Sequence, residues 1–385
     1  MRRGTLAAVL WVSCLVMSAQ GTAPAPTAPP AAVAGLARQA AAARSGGRGD
    51  EALRLYGQAI RLAPKWAEGW YHVGTLSYAG GRFAECRDAM RRLVELEPGL
   101  PQGHGYLGLC EFRTREYGAA LESLEKALQI GVPADEPLLR PIQLHAAMLA
   151  TKAGLFEKSM PLCRALALRF GEWPELVALA GATVLRRPIF PAEVAADDRA
   201  LVFQMGRAAL TAGAGQMEAA RRILDGVVKE YDKTPGVHYG YASVLLAGAP
   251  EECAVELRKE LVVNPEHLPS LVSLAVILKK SEQYDEALGL LQRALAVKPG
   301  DLRARYQRAT IYLEKGQADE ARTELEAVER EAPGIAEVHA TLASAYYRLK
   351  RKEDGDRQRM LVVQLKSSAR SGQLESTVGG EPVNR

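Results

Sequence analysis

Residues 265–299 read PEHLPSLVSLAVILKKSEQYDEALGLLQRALAVKP. Two apolar-periodic runs lie between two prolines, joined by a short polar turn around Lys280. In the first run, Leu271, Leu274, Ala275 and Leu278 share one helical face. In the second, Ala287 and Leu291 do the same before Pro299 ends the helix. One small residue in each run lets the two helices approach closely as an antiparallel pair.

Elsewhere in the chain the same interval returns. Pro64 to Pro98, Pro265 to Pro299 and Pro299 to Pro333 are each 34 residues, and the prolines close AIRLAP, LVELEP, ALAVKP and AVEREAP. Residues 67–100 carry Trp70, Val73, Gly74 and Ser77 on one stripe, a Gly80-Gly81 turn, then Cys86 and Met90. Residues 101–134 supply Leu107, Gly108, Ala120 and Leu124; residues 302–335 supply Ala309, Tyr312, Ala321 and Leu325. A fixed period of this length decides the architecture before any single residue does.

These spacings resemble the tetratricopeptide-repeat (TPR) family, whose pattern is W-x2-L-G-x2-Y…A-x3-F…P. The resemblance implies an all-α fold, an α-solenoid of stacked antiparallel helix pairs forming a TPR superhelix. A further unit at 33–66 keeps Ala52, Tyr56 and Pro64, and weaker units follow at 140–173, 201–234, 235–267 and 336–369. Two interruptions stand out: an insert from Asp135 to Leu139, and RRPIFPAEVAADD at 186–198, which leaves 174–186 as a helix with no obvious mate. The expected organisation is therefore an N-terminal array at 33–173, an irregular connection at 174–200 and a C-terminal array at 201–369. The Ser/Gly-rich stretch 370–385 is expected to be a disordered tail. Arg305 and Arg308 stand where the family has large apolar residues, which puts local packing there in question.

The N-terminus reads as an address. Arg2 and Arg3 precede an apolar stretch from Leu6 to Met17, and small residues surround Ser18, Ala19 and Gly21. That order is a signal peptide over 1–21, followed by a Pro/Ala-rich linker at 22–32. The expectation is an exported protein, periplasmic or extracellular, with no transmembrane span in the mature chain. Anchoring through an uncleaved N-terminal segment is the alternative.

Composition narrows the function classes. The 385 residues are 48% apolar and 24% charged with net charge +4, which falls to +2 when Arg2 and Arg3 leave with the leader. A balance so near neutral speaks against nucleic acid as a partner. Gly103-His104-Gly105-Tyr106-Leu107-Gly108 spells GxGxxG but lies inside a repeat helix, without the strand that a dinucleotide site needs. Ser123-Leu124-Glu125-Lys126 spells SxxK without its companion motifs. The histidines at 72, 104, 145, 238, 267 and 339 form no metal-ligand spacing. His104, His238 and His339 take the place of the family's Trp, so partial burial explains them. No enzyme, cofactor or metal is expected. Cys86, Cys110, Cys163 and Cys253 remain after export, all in apolar helical patterns where packing explains them; Cys86 with Cys110 is the pair worth testing as a disulfide.

The resemblance implies that the first helix of each pair lines a concave groove where peptides lie. Spacing on those helices then nominates Tyr71, Thr75 and Tyr78, and on the next unit Gly105, Leu109 and Phe112, as a partner-binding surface. Gly105 is expected to leave room beside the larger residues. Packing between neighbouring first helices is the competing explanation. Two readings of function follow: a non-enzymatic scaffold of the cell envelope or periplasm that binds a protein or peptide in its groove, or a structural, self-assembling solenoid with no peptide ligand.

Overall fold

The units 33–66, 67–100, 268–301 and 302–335 each place a proline just past the second helix, and the backbone obeys it. Ala63, Glu97, Lys298 and Ala332, each preceding such a proline, take φ of −132°, −130°, −140° and −140°. A residue before proline is driven out of the helical region, so the helix stops there. In the computed structural model the described residues are 29–245 and 249–377, with side chains as far as Ser367. The expected signal peptide, most of the linker and the end of the tail lie outside them. Nineteen α-helices and no strand occur among the described residues. The fold is an all-α TPR-type solenoid. Its described residues fall into two compact units that meet in sequence at Leu149 and Ala150.

The first unit holds α1 (Ala34–Ser45), α2 (Gly49–Leu62), α3 (Ala67–Ala79), α4 (Phe83–Leu96), α5 (Pro101–Arg113), α6 (Tyr117–Ile130) and most of α7 (Leu139–Lys152). Odd-numbered helices are first helices and even-numbered ones second helices. Gly74 meets Met90 of α4, and a Cβ on Gly108 would come within 2.6 Å of Leu124 in α6, so both glycines are the close-approach residues of their pairs. Cys86 and Cys110, both fully buried, form a disulfide with Cα atoms 6.2 Å apart, which ties α4 to α5. Packing was expected to explain the cysteines, with Cys86 and Cys110 the one pair to test as a disulfide; that pair is bonded, and packing describes Cys163 and Cys253, which are buried free thiols.

The second unit continues with α8 (Phe156–Phe170), α9 (Pro174–Val184), α10 (Arg199–Gly213), α11 (Met217–Tyr231), α12 (Val237–Leu245) and α13 (Pro250–Val263). Then come α14 (Leu268–Lys280), α15 (Tyr284–Val297), α16 (Leu302–Glu314), α17 (Ala318–Glu331), α18 (Ala336–Arg348) and α19 (Lys352–Thr377). The last helix runs into the stretch expected to be disordered. Arg305 and Arg308 keep their unit closed by polar means: Arg308 grips Glu324 with two nitrogens at 2.8 and 2.6 Å, and Arg305 reaches Glu331 at 2.6 Å.

A left-handed turn residue marks the step from first to second helix. Positive φ occurs at Gly47, Gly81 and Arg115, and again at Glu282, Gly316 and Lys350, at intervals of 34 residues within each set of three. From Arg115 to Gly154 the interval is 39, which is one period plus the five-residue insert at 135–139. Arg186 (φ 53°) ends α9 with the same turn, its N–H reaching Thr183 O while Arg187 N–H reaches Ala182 O. So α9 is a first helix whose second helix is missing. The helix expected to lack a mate has one in α10, another first helix, and the two touch backbone to backbone: an added Cβ on Gly181 or Gly206 would lie 1.9 Å from a carbonyl oxygen across the contact. Leu176 through Leu185 are all buried, as a helix apolar on every side requires.

Candidate functional site

The nominated surface lies wholly within the first unit, on α3 and α5. Tyr78 and Phe112 occupy the same repeat position, 34 residues apart, and both are half-buried. Tyr78 stands edge-on to Tyr106 (5.4 Å between ring centroids) and to Phe83 (5.8 Å). Phe112 stands edge-on to His145 of α7 at 4.6 Å and tilts against Tyr117 at 5.6 Å. Arg113 lays its guanidinium over the Phe83 ring at 4.1 Å. Thr75, also half-buried, turns its hydroxyl back to Tyr71 O at 2.9 Å, so its donor is already used.

The other three nominated residues are floor. Tyr71 is 4% exposed and meets Tyr106 edge-on at 6.3 Å; Leu109 is 1% exposed. The room expected beside Gly105 is filled: a Cβ there would come 2.5 Å from Cδ1 of Ile142 on α7. Gly105 is therefore an inter-repeat contact, and it is small because the next first helix drives an isoleucine into it.

Electrically this surface is quiet at neutral pH. Burial, with the nearby Glu136 carboxylate, pushes the Tyr71 hydroxyl up to about 12. Burial also raises Tyr106, with Tyr71 and Tyr78 adding to the effect. His145 is held neutral by burial, its Nδ1–H donating to Pro141 O at 2.8 Å. His72 is lowered to about 4 by burial and by Arg44, whose Nη1 donates to His72 Nδ1 at 2.7 Å. A surface of rings with fixed protonation recognises by shape and apolar contact.

No catalytic constellation assembles around it. The GxGxxG glycines face Leu93 and Val94, Ile142 and Leu124, which are packing contacts. Ser123 lies mid-helix and donates to Glu111 at 2.8 Å. Among the described residues no group of three or more His, Cys, Asp or Glu is placed to hold a metal ion.

Sequence models described as tetratricopeptide repeat match 37–101 and 81–135 in the first unit and 278–345 in the second. The chain is a tetratricopeptide-repeat protein. Two curated relatives align with parts of it. Cellulose synthase operon protein C of Xanthomonas axonopodis pv. citri (strain 306) is 29% identical over 151 residues, 37% of this chain and 10% of that protein. Cytochrome c-type biogenesis protein CycH of Rhizobium meliloti (strain 1021) is 35% identical over 107 residues, 27% of this chain and 28% of that protein. The TPR chain thus spans about a tenth and about a quarter of these relatives' lengths. Among solved structures, MamA of Desulfovibrio magneticus RS-1 is 21% identical, with 43% of this chain and 94% of that one covered at a TM-score of 0.40. YrrB, described as a TPR protein with an unusual peptide-binding site, is 22% identical, with 45% and 90% covered at 0.38. A TPR fold is a protein-interaction scaffold. No described helix is long and apolar enough to cross a membrane.

Proposed function

We propose that this TPR protein is a non-enzymatic scaffold of the cell envelope or periplasm that holds a protein or peptide partner on the first-helix face of its first unit. The observation that carries the reading is the pair Tyr78 and Phe112, two half-buried rings at the same position of adjacent repeats. They stand over a floor of Tyr71, Gly105 and Leu109, with Thr75 beside them. Rigid aromatics already braced by neighbours lose little freedom on binding, which suits them as anchors. The envelope setting rests on the charged, apolar and small-residue order of residues 1–21 and on the disulfide between Cys86 and Cys110.

The test begins with affinity capture of the exported protein and then measures the captured partner's affinity for variants. Tyr78→Ala and Phe112→Ala are each expected to weaken binding by about 5- to 30-fold, roughly 1–2 kcal/mol. Unchanged affinity in both would move the interaction off this face. The self-assembling alternative has one observation behind it: Met360 and Val363 on α19 are 65% and 68% exposed. Light scattering on the purified chain separates the readings, since a regular oligomer lost in Val363→Asp favours self-assembly.

A further inference from the structure

The second unit holds a cavity of about 140 Å³ between the start of α8, the end of α9 and α12. Its apolar wall is Met160, Val184 and Val244, and two arginines, Arg164 and Arg186, also line it. Each arginine is placed by its own device. Arg186 leaves the left-handed turn that closes α9 and lies between the Phe156 ring at 4.7 Å and the Tyr239 ring at 5.7 Å. Its Nη1 donates to Glu157 Oε1 at 2.7 Å and to the Tyr239 hydroxyl at 3.4 Å. Arg164 runs its aliphatic stem across Gly213, the last residue of α10, where a Cβ would sit 2.8 Å from Arg164 Cγ. That glycine is thus the track for a side chain whose head makes no hydrogen bond or ion pair among the described residues.

The charge of the cavity is unbalanced. Two arginines face one carboxylate, Glu157, whose side chain is 64% exposed at the rim and is paired with Arg186 alone of the two. His267, edge-on to Tyr239 at 4.8 Å, adds no cation, because burial and the Arg186 charge lower it to about 4. Cofactor and drug-sized sites run to roughly 300–1,000 Å³, so this one takes a single residue. Planar guanidiniums beside aromatic faces match a carboxylate in shape and charge, and a bidentate pair fixes its orientation.

We propose that this cavity seats one carboxylate-bearing residue of a peptide, with Arg164 and Arg186 as its counter-charges. The site shares with the scaffold reading only the premise that the chain binds peptides, and it uses none of the residues of the α3 and α5 surface.

Four probes are titrated into the full chain and followed by calorimetry: N-acetyl-Ala-Ala-Leu with a free carboxylate, its C-terminal amide, N-acetyl-Ala-Glu-Ala-amide, and inorganic phosphate. A carboxylate peptide should saturate the protein while the uncharged amide does not. The free-acid probe reports a chain terminus as the source, and the Glu probe an acidic side chain. Arg164→Gln should weaken the bound peptide by about tenfold or more with an unchanged thermal midpoint, since the residue is solvent-exposed. Arg186→Gln should weaken it further, and Tyr78→Ala should leave it as it is. Three results would overturn the proposal: no saturation by either carboxylate peptide, equal affinity in Arg164→Gln, or phosphate binding as tightly as the peptides. Failure here with Tyr78→Ala still impairing the captured partner would leave the first-unit surface standing.

Discussion

At the residue scale, three histidines and a tryptophan do one job. Trp70 Nε1 donates to Pro64 O at 2.9 Å, and His104, His238 and His339 each reach the carbonyl six residues earlier, at 2.9, 3.0 and 2.7 Å. The indole position of the repeat is thus a ring N–H that closes the turn between units, and Nε2–H of histidine supplies it. With Nε2–H committed, His238 Nδ1 can bond Glu256 Oε2 at 2.7 Å only as a second donor, so the ring is an imidazolium. The Glu256 hydrogen bond raises the His238 pKa against the cost of burial. Burial works to raise Glu256, and the hydrogen bonds from His238 and Lys259 more than reverse it. Because the folded His238 value lies above the unfolded one, its stabilisation is complete below the ordinary histidine value of about 6.5 and is lost as pH rises through the raised value. Asp232, with Oδ1 3.3 Å from Nε2, adds to the same direction. Glu256→Gln should therefore flatten the decline of the thermal midpoint between pH 6 and 9; an equally steep decline in the variant would exclude this pair as its origin. A second residue-scale outcome concerns Gly105. Leucine there would improve helix propensity but collide with Ile142, so Gly105→Leu should lose roughly 1–3 kcal/mol, read as a lowered midpoint. Spacing alone showed that Gly105 lies on a given helical face, but the neighbour filling that face comes from α7, beyond an insert whose effect on register no period reveals.

At the element scale, the legible and the illegible divide at the same place. Strict repeats announced themselves because each unit is one supersecondary element with its own turn and stop signals. Residues 174–198 did not, because their packing depends on what is absent. A first helix without its second brings the next first helix into its place, and the run LVALAGATVL from 176 to 185 is the trace of that event in sequence. With apolar residues all round it has no face to leave in solvent, so a mate on each side was required. Gly181 and Gly206 then allow a backbone contact too close for any Cβ. Gly181→Ala and Gly206→Ala should each cost well over the roughly 1 kcal/mol that alanine would gain by helix propensity, because backbone must move. Gly289→Ala on α15, where an added Cβ meets nothing within 4 Å, should instead raise stability by about 0.5–1 kcal/mol. Denaturant midpoints of the three variants check both signs, and a stable Gly181→Ala protein would contradict the α9–α10 contact.

At the scale of the whole molecule, two units share one repeat grammar but are secured differently. The first has a covalent tie between successive repeats, Cys86 to Cys110, while the second keeps Cys163 and Cys253 as buried thiols, raised to about 12 and 11 chiefly by burial. Thiols so protonated are poor nucleophiles, so oxidation should stop at the one bond. Closing a loop of 24 residues stabilises a fold by about 3 kcal/mol on the chain-entropy account, large against the stability of a small repeat array. Unit stability in such arrays is a sum over neighbours, so the effect should remain within the first unit. Tryptophans make this separable: Trp66 and Trp70 report the first unit and Trp173 the second. Chain produced with its leader in an exporting bacterial host should lack its first 18 to 21 residues, as the Ser18 and Gly21 cleavage sites allow, and carry the 86–110 bond. In a Trp173→Phe background, reductant should then lower the denaturant midpoint read by fluorescence. In a Trp66→Phe, Trp70→Phe background the Trp173 signal should not move. Mass spectrometry finding an intact Met1 on soluble cytoplasmic material, with free thiols at 86 and 110, would remove both the address and the staple, and with them the envelope setting of the scaffold.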